Sequence, residues 1–126
     1  AVVTRGSGED KEVLLIRRGY EPCKDMLAFP GGFVDYGEDP EDAVVRELKE
    51  ETGVDGTNPV SMAVHGEPTR DPRKHVIALF YRVDASPESV PIAGDDASEA
   101  YWVPLNIVTA NEIAGDHILI IDKLRE

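Results

Sequence analysis

Gly32–Val54 reads GFVDYGEDPEDAVVRELKEETGV, and this stretch decides the fold. Asp39 followed by Pro40 marks a helix start, because the aspartate carboxylate accepts from free N–H groups of the first turn and proline's fixed φ suits that position. Gly53 supplies a left-handed residue at the other end, so the pattern predicts a helix from Pro40 to about Thr52. At about 100° per residue, Glu47, Glu50 and Glu51 share an arc of about 100°, while Val44, Val45 and Leu48 lie about 120° away and face the core. Ala43 sits one turn before Glu47, where a small side chain leaves room. Like charges at i,i+3 and i,i+4 cost a few tenths of a kcal/mol each, so helix stability gives no reason to stack three. A hard divalent cation reverses the sign of that cost, since Mg²⁺ takes oxygen ligands. The competing reading is a solvated acidic face, partly offset by Lys49.

The flanks favour the cation. Pro30-Gly31-Gly32 brings bare backbone to the same end of the helix, Glu38 precedes the cap, and Arg46 beside Glu47 can orient a carboxylate through a bidentate contact. From Asp35 to Glu51 there are eight acids and two bases, a net −6 out of −12 for the chain. That balance argues against a nucleic-acid partner, which needs a basic footprint.

Outward from the helix, strands are expected at Ala1–Thr4, Glu12–Arg18, Leu27–Phe29, Val60–Val64, Lys74–Ala85 and Tyr101–Val103. A closing amphipathic helix from Asp116 would use Ile118, Leu119, Ile121 and Leu124 as its apolar side. At 126 residues, 41% hydrophobic and 30% charged, the chain suits one domain, with strands and helices mixed in an α/β sandwich around a central mixed sheet. The longest apolar run, Val76–Tyr81, is far short of the roughly 20 residues a membrane helix needs. Without an initiator Met, the N-terminus is expected to be trimmed, and no signal-peptide pattern opens it. Cys23 is alone, which excludes an internal disulfide and points to a reducing, cytoplasmic setting.

The segment Gly32–Val54 resembles the 23-residue Nudix box, G-x5-E-x7-R-E-U-x-E-E-x-G-U, where U is aliphatic. Gly32, Glu38, Arg46, Glu47, Glu50, Glu51 and Gly53 fill its fixed places, and Leu48 and Val54 its aliphatic ones. The resemblance implies a Nudix-type α/β/α sandwich and water attack on a pyrophosphate held by Mg²⁺ or Mn²⁺. By position, Glu47, Glu50 and Glu51 would ligate the metal, with the Gly31 carbonyl, and Arg46 and Glu38 would support them. Either Glu51 or Glu50 could serve as general base. Family members also recruit a loop carboxylate, for which Glu99 is the preferred residue in Asp95-Asp96-Ala97-Ser98-Glu99.

Looser likenesses point to the ADP-ribose pyrophosphatase branch: Arg17-Arg18-Gly19 with Pro22 and Lys24, Phe29–Val34, Arg70-Asp71-Pro72-Arg73 with His75, and Asp116-His117. They imply ADP-ribose cleaved to AMP and ribose 5-phosphate, with a homodimer as the candidate assembly; on charge, Arg17, Arg18, Arg70 and Arg73 are the candidate phosphate contacts, with Phe29 and Gly32 as further candidate substrate contacts. Phe33, Tyr36 and Tyr81 are further candidates for stacking on a base, and His117 reads as a helix-start residue rather than a catalyst. Leu27 stands where that branch often has tryptophan, Gly115 where an aromatic usually precedes Asp-His, and Pro68 and Pro72 flank the place of its usual proline. Alternatives are a house-cleaning nucleoside triphosphate pyrophosphatase and a non-catalytic nucleotide sensor.

Overall fold

Four consecutive apolar residues, Val13–Ile16, are buried in the strand β2 (Glu12–Arg18), the centre of the molecule. A strand with both faces covered needs no polar alternation, and this one has none in its middle. The computed structural model describes residues 1–126. Along one edge of β2 runs β6 (Ala97–Pro104), paired antiparallel from Glu12↔Pro104 to Arg18↔Ala97. The other edge is shared by β1 (Thr4–Arg5) near its start and β3 (Leu27–Ala28) near its end, both antiparallel. A separate antiparallel ribbon is formed by β4 (Thr57–His65) and β5 (Ala78–Asp84). Val2 joins the two sheets through a parallel bridge to Arg82, with the Val2 amide donating to Tyr81 at 2.8 Å and the Val83 amide donating back at 3.0 Å. The mixed character of the sheet rests on that bridge and on a second parallel one, Leu27↔Ile113.

Alternation along β2 builds the three layers. Val13 and Leu15 belong to a core with Phe29, Phe80, Ile113, Ile120, Ile121 and Leu124, which packs the helix α2 (Ile118–Leu124) on one side. Leu14 belongs to the opposite core with Val3, Val54, Val83 and the Val44 and Leu48 side chains of α1 (Pro40–Thr52). The expected α/β/α sandwich is therefore present.

Helix α1 has the bounds read from sequence. The Asp39 side chain accepts from the Glu41 amide at 2.8 Å, Pro40 opens the first turn, and Gly53 closes it at φ +71° with its N–H on the Lys49 carbonyl. Other elements differ from expectation. β5 begins at Ala78 rather than Lys74, since Arg70–Ile77 form a loop; β4 and β6 start earlier, at Thr57 and Ala97. In α2 the buried residues are Ile120, Ile121 and Leu124, and Leu119 is exposed. Four apolar residues in succession cannot share one side of a helix, and register on the core selects Ile120 over Leu119.

Candidate active site

Gly31 and Gly32 allow the chain to pass against α1. The Gly31 amide donates to Glu51 Oε1 at 2.8 Å, and a Cβ on Gly32 would lie 2.5 Å from both carboxylate oxygens of Glu47. A larger residue there would push the Glu47 carboxylate out of its place. The close passage covers two of the three box carboxylates: Glu47 and Glu51 are 9% and 5% exposed, and Glu50 remains open to solvent. A solvated acidic face would leave all three exposed, so that reading is set aside.

Arg46 gathers the acids around it. Its Nε and Nη2 form a fork on Glu38 at 2.8 and 2.9 Å, and its Nη1 reaches Glu47 at 2.8 Å and Glu50 at 3.1 Å. The bidentate contact thus goes to Glu38, with Glu47 held by the remaining nitrogen. Glu38 also accepts from the Asp35 amide, and the Arg46 guanidinium brings its pKa down to about 2. Glu47 is pushed up by burial despite Arg46. Burial raises Glu51 further, from 4.5 to about 7, against the opposing Gly31 hydrogen bond and with help from neighbouring negative charge.

A loop completes the cluster. The Ile92 and Gly94 amides donate to the Thr52 and Glu51 carbonyls at 2.8 and 3.0 Å, satisfying carbonyls that the helix end leaves free. Gly94 passes so close that an added Cβ would lie 2.5 Å from the Glu50 carbonyl oxygen. The next residue, Asp95, is thereby set beside the helix, and ligand oxygens of Glu47, Glu50 and Asp95 lie within 4.8 Å of one another. Three hard carboxylate oxygens at this spacing suit Mg²⁺ or Mn²⁺. Glu51 is outside this trio, and Gly31 meets it through its amide rather than its carbonyl. Glu99, the loop acid preferred from sequence, lies in β6 opposite Arg17 and forms an open ion pair with it at 3.7 Å. Sequence reasoning named the loop that carries Asp95 but preferred Glu99 within it. The signal that separates Asp95 from Glu99 is Gly94, the small residue that lets the loop touch α1.

Glu47, Glu51 and Asp95 open onto a cleft of about 720 Å³. Arg18, Phe29, Gly32, Arg70 and Arg73 line it; Arg17 does not. The side chain of Arg17 is spent on the Asp25 carbonyl and Tyr101 hydroxyl, both at 2.6 Å. Arg70 grips Asp116 with two 2.8 Å contacts and places a third on the Val76 carbonyl. It therefore ties the loop before β5 to the turn before α2. Arg73 is held by Asp71, and with Lys74 it stands over the exposed Phe33 ring, at 5.9 and 5.6 Å from the centroid. Tyr81 lines the cleft, whereas Tyr36 is fully exposed and does not.

The NUDIX domain family matches residues 1–124, and the chain belongs to that family. It is 44% identical over 113 residues to an ADP-ribose pyrophosphatase of Methanocaldococcus jannaschii, covering 90% of this chain and 65% of that protein. It is 30% identical over 119 residues to an 8-oxo-dGTP diphosphatase of Escherichia coli, covering 93% and 88%. Among solved structures, the NUDIX domain of Shewanella oneidensis NrtR, cocrystallised with ADP ribose, superposes with a TM-score of 0.83 at 29% identity, over 98% of this chain and 82% of that one. The chain thus spans about two thirds of the M. jannaschii relative and most of the other two.

Proposed function

We propose that the protein hydrolyses the pyrophosphate bond of a nucleoside diphosphate derivative, with ADP-ribose, cleaved to AMP and ribose 5-phosphate, as the substrate. The observation that carries this reading is the carboxylate trio Glu47, Glu50 and Asp95, of which Glu47 and Asp95 line a nucleotide-sized cleft. The likeness to the M. jannaschii and S. oneidensis proteins supports the choice of ADP-ribose.

Glu47, Glu50 and Asp95 would hold Mg²⁺ or Mn²⁺, with Arg46 fixing the Glu47 and Glu50 side chains. A divalent ion there supplies positive charge for the pyrophosphate oxygens and acidifies a bound water. Glu51 is the proton acceptor: Gly31 fixes one of its oxygens, and burial makes its carboxylate more basic than an exposed one. In the reaction a water oxygen bonds to one phosphorus, the bridging P–O bond breaks, and the water's proton passes to Glu51. Arg18 and Arg73 supply charge for the phosphates from the cleft lining. The contact of Arg70 with Asp116 makes it a brace for the cleft rather than a phosphate ligand.

The E. coli relative favours a second reading, a nucleoside triphosphate pyrophosphatase. A panel of ADP-ribose, other nucleoside diphosphate sugars and nucleoside triphosphates, each with and without Mg²⁺, separates the two by product. AMP release from ADP-ribose alone supports the first, and inorganic pyrophosphate release from triphosphates supports the second. Binding of ADP-ribose with no turnover of any member would instead indicate a sensor.

A further inference from the structure

One hydrogen-bond donor in the cleft has no part in the chemistry above. His117 ends the short turn Gly115–His117 and lines the cleft together with Phe29 and Phe80. Its Nδ1 accepts the Phe29 amide at 3.2 Å. A nitrogen that accepts carries no proton, so the neutral ring bears its proton on Nε2. Burial holds the ring's pKa at about 4, which keeps this neutral form at physiological pH. Nε2 has no protein acceptor, and the one side-chain polar atom sealed from solvent without a partner is His65 Nδ1. The His117 Nε2–H is therefore not sealed from solvent, although most of the ring is covered.

The ring is also held in place. Phe29 stacks at a tilt with centroids 5.5 Å apart, and Phe80 meets its edge at 5.3 Å. The preceding residue, Asp116, is gripped by Arg70 and stands 3.2 Å from His65 Nδ1. A fixed donor beside two aromatic rings, with no charge of its own, is poorly suited to a phosphate. It suits a flat or apolar-faced group that presents one neutral acceptor, and the base and the sugars of a nucleotide both have that chemistry.

We propose that His117, through Nε2–H, is a ligand-binding donor for an uncharged part of the nucleotide, base or sugar, seated in the cleft at the wall His117 forms with the edges of Phe29 and Phe80. The proposal rests on the nucleotide-hydrolase reading and adds the residue that recognises the neutral end.

Two variants isolate the donor. His117→Asn can keep an acceptor for the Phe29 amide and lacks an N–H at the Nε2 position; His117→Gln keeps an N–H there and gives up the Nδ1 acceptor. AMP and ribose 5-phosphate, titrated separately by calorimetry with Mg²⁺, probe the base side and the distal sugar side without turnover. The expected result is that His117→Asn weakens one of the two by about three- to tenfold, leaves the other unchanged, and raises KM for ADP-ribose with kcat retained. His117→Gln should bind within about twofold of wild type even where its melting temperature falls. Unchanged affinity for both products in His117→Asn overturns the proposal, as does equal weakening of both. Wild-type protein that binds ADP-ribose without cleaving it overturns the hydrolytic reading alone, and Kd for ADP-ribose then tests His117 directly. Wild-type protein that binds none of the three overturns both.

Discussion

Replacing Glu51 with Gln should make the metal-free protein more stable and the enzyme inactive. Burial raises the Glu51 pKa from 4.5 to about 7, so ionising this carboxyl in the folded protein is unfavourable. Below pH 4.5 the group is protonated both folded and unfolded and contributes no pH dependence. Between 4.5 and 7 the unfolded chain releases the proton and the folded one keeps it, so stability falls as pH rises. Above about 7 the full penalty is in place, about 3 kcal/mol at 1.36 kcal/mol per pH unit. Glutamine stays neutral, fills the same space, and still accepts from the Gly31 amide. Urea unfolding of wild type and Glu51→Gln in EDTA, at pH 5 and pH 8, reads the difference directly. The variant should gain about 2–3 kcal/mol at pH 8 and under about 1 kcal/mol at pH 5. Its kcat with Mg²⁺ should fall by about 10²-fold or more, the usual cost of losing a general base. A variant no more stable than wild type at pH 8, or equally stabilised at both pH values, would refute the reasoning.

Other expectations follow from the same geometry. Asp95→Asn removes one oxygen charge from the trio and should weaken Mn²⁺ binding by about tenfold or more, measured by calorimetry, while Glu99→Gln leaves it within about twofold. Gly32→Ala drives a methyl into the Glu47 carboxylate and should cost about 1–3 kcal/mol of stability, read by urea unfolding, together with most of the turnover. Arg46→Lys keeps the charge and loses the fork that spans Glu38, Glu47 and Glu50; kcat should drop by about tenfold or more with little change in melting temperature.

Local chemistry made α1 legible from sequence. Asp39, Pro40 and Gly53 each act within a few residues of their own position, and the structure puts the helix ends where they point. The spacing of Glu47, Glu50 and Glu51 likewise identified the acidic side. The burial of Glu47 and Glu51 was not legible, because it comes from Gly31 and Gly32 crossing the helix from fifteen to twenty residues away. The choice of Asp95 over Glu99 within the acidic loop was hidden for a similar reason. Helical spacing says which of α1's own residues share a side, but not which loop will dock on its C-terminal carbonyls. The strand β6 was underestimated at its start, since Ser98 and Glu99 read as loop residues until pairing with β2 orders them. Arg17 and Arg18 were both placed with substrate on charge alone; alternation along β2 and the bonds to Asp25 and Tyr101 remove Arg17 from the cleft.

The most direct test is to follow ADP-ribose by ³¹P NMR in the presence of the protein, first with EDTA and then with excess Mg²⁺. The pyrophosphate resonances should persist under EDTA, then give way after Mg²⁺ to two phosphomonoester signals in equal amounts, those of AMP and ribose 5-phosphate. Pyrophosphate signals that survive Mg²⁺, or that vanish equally fast in EDTA, would contradict the account.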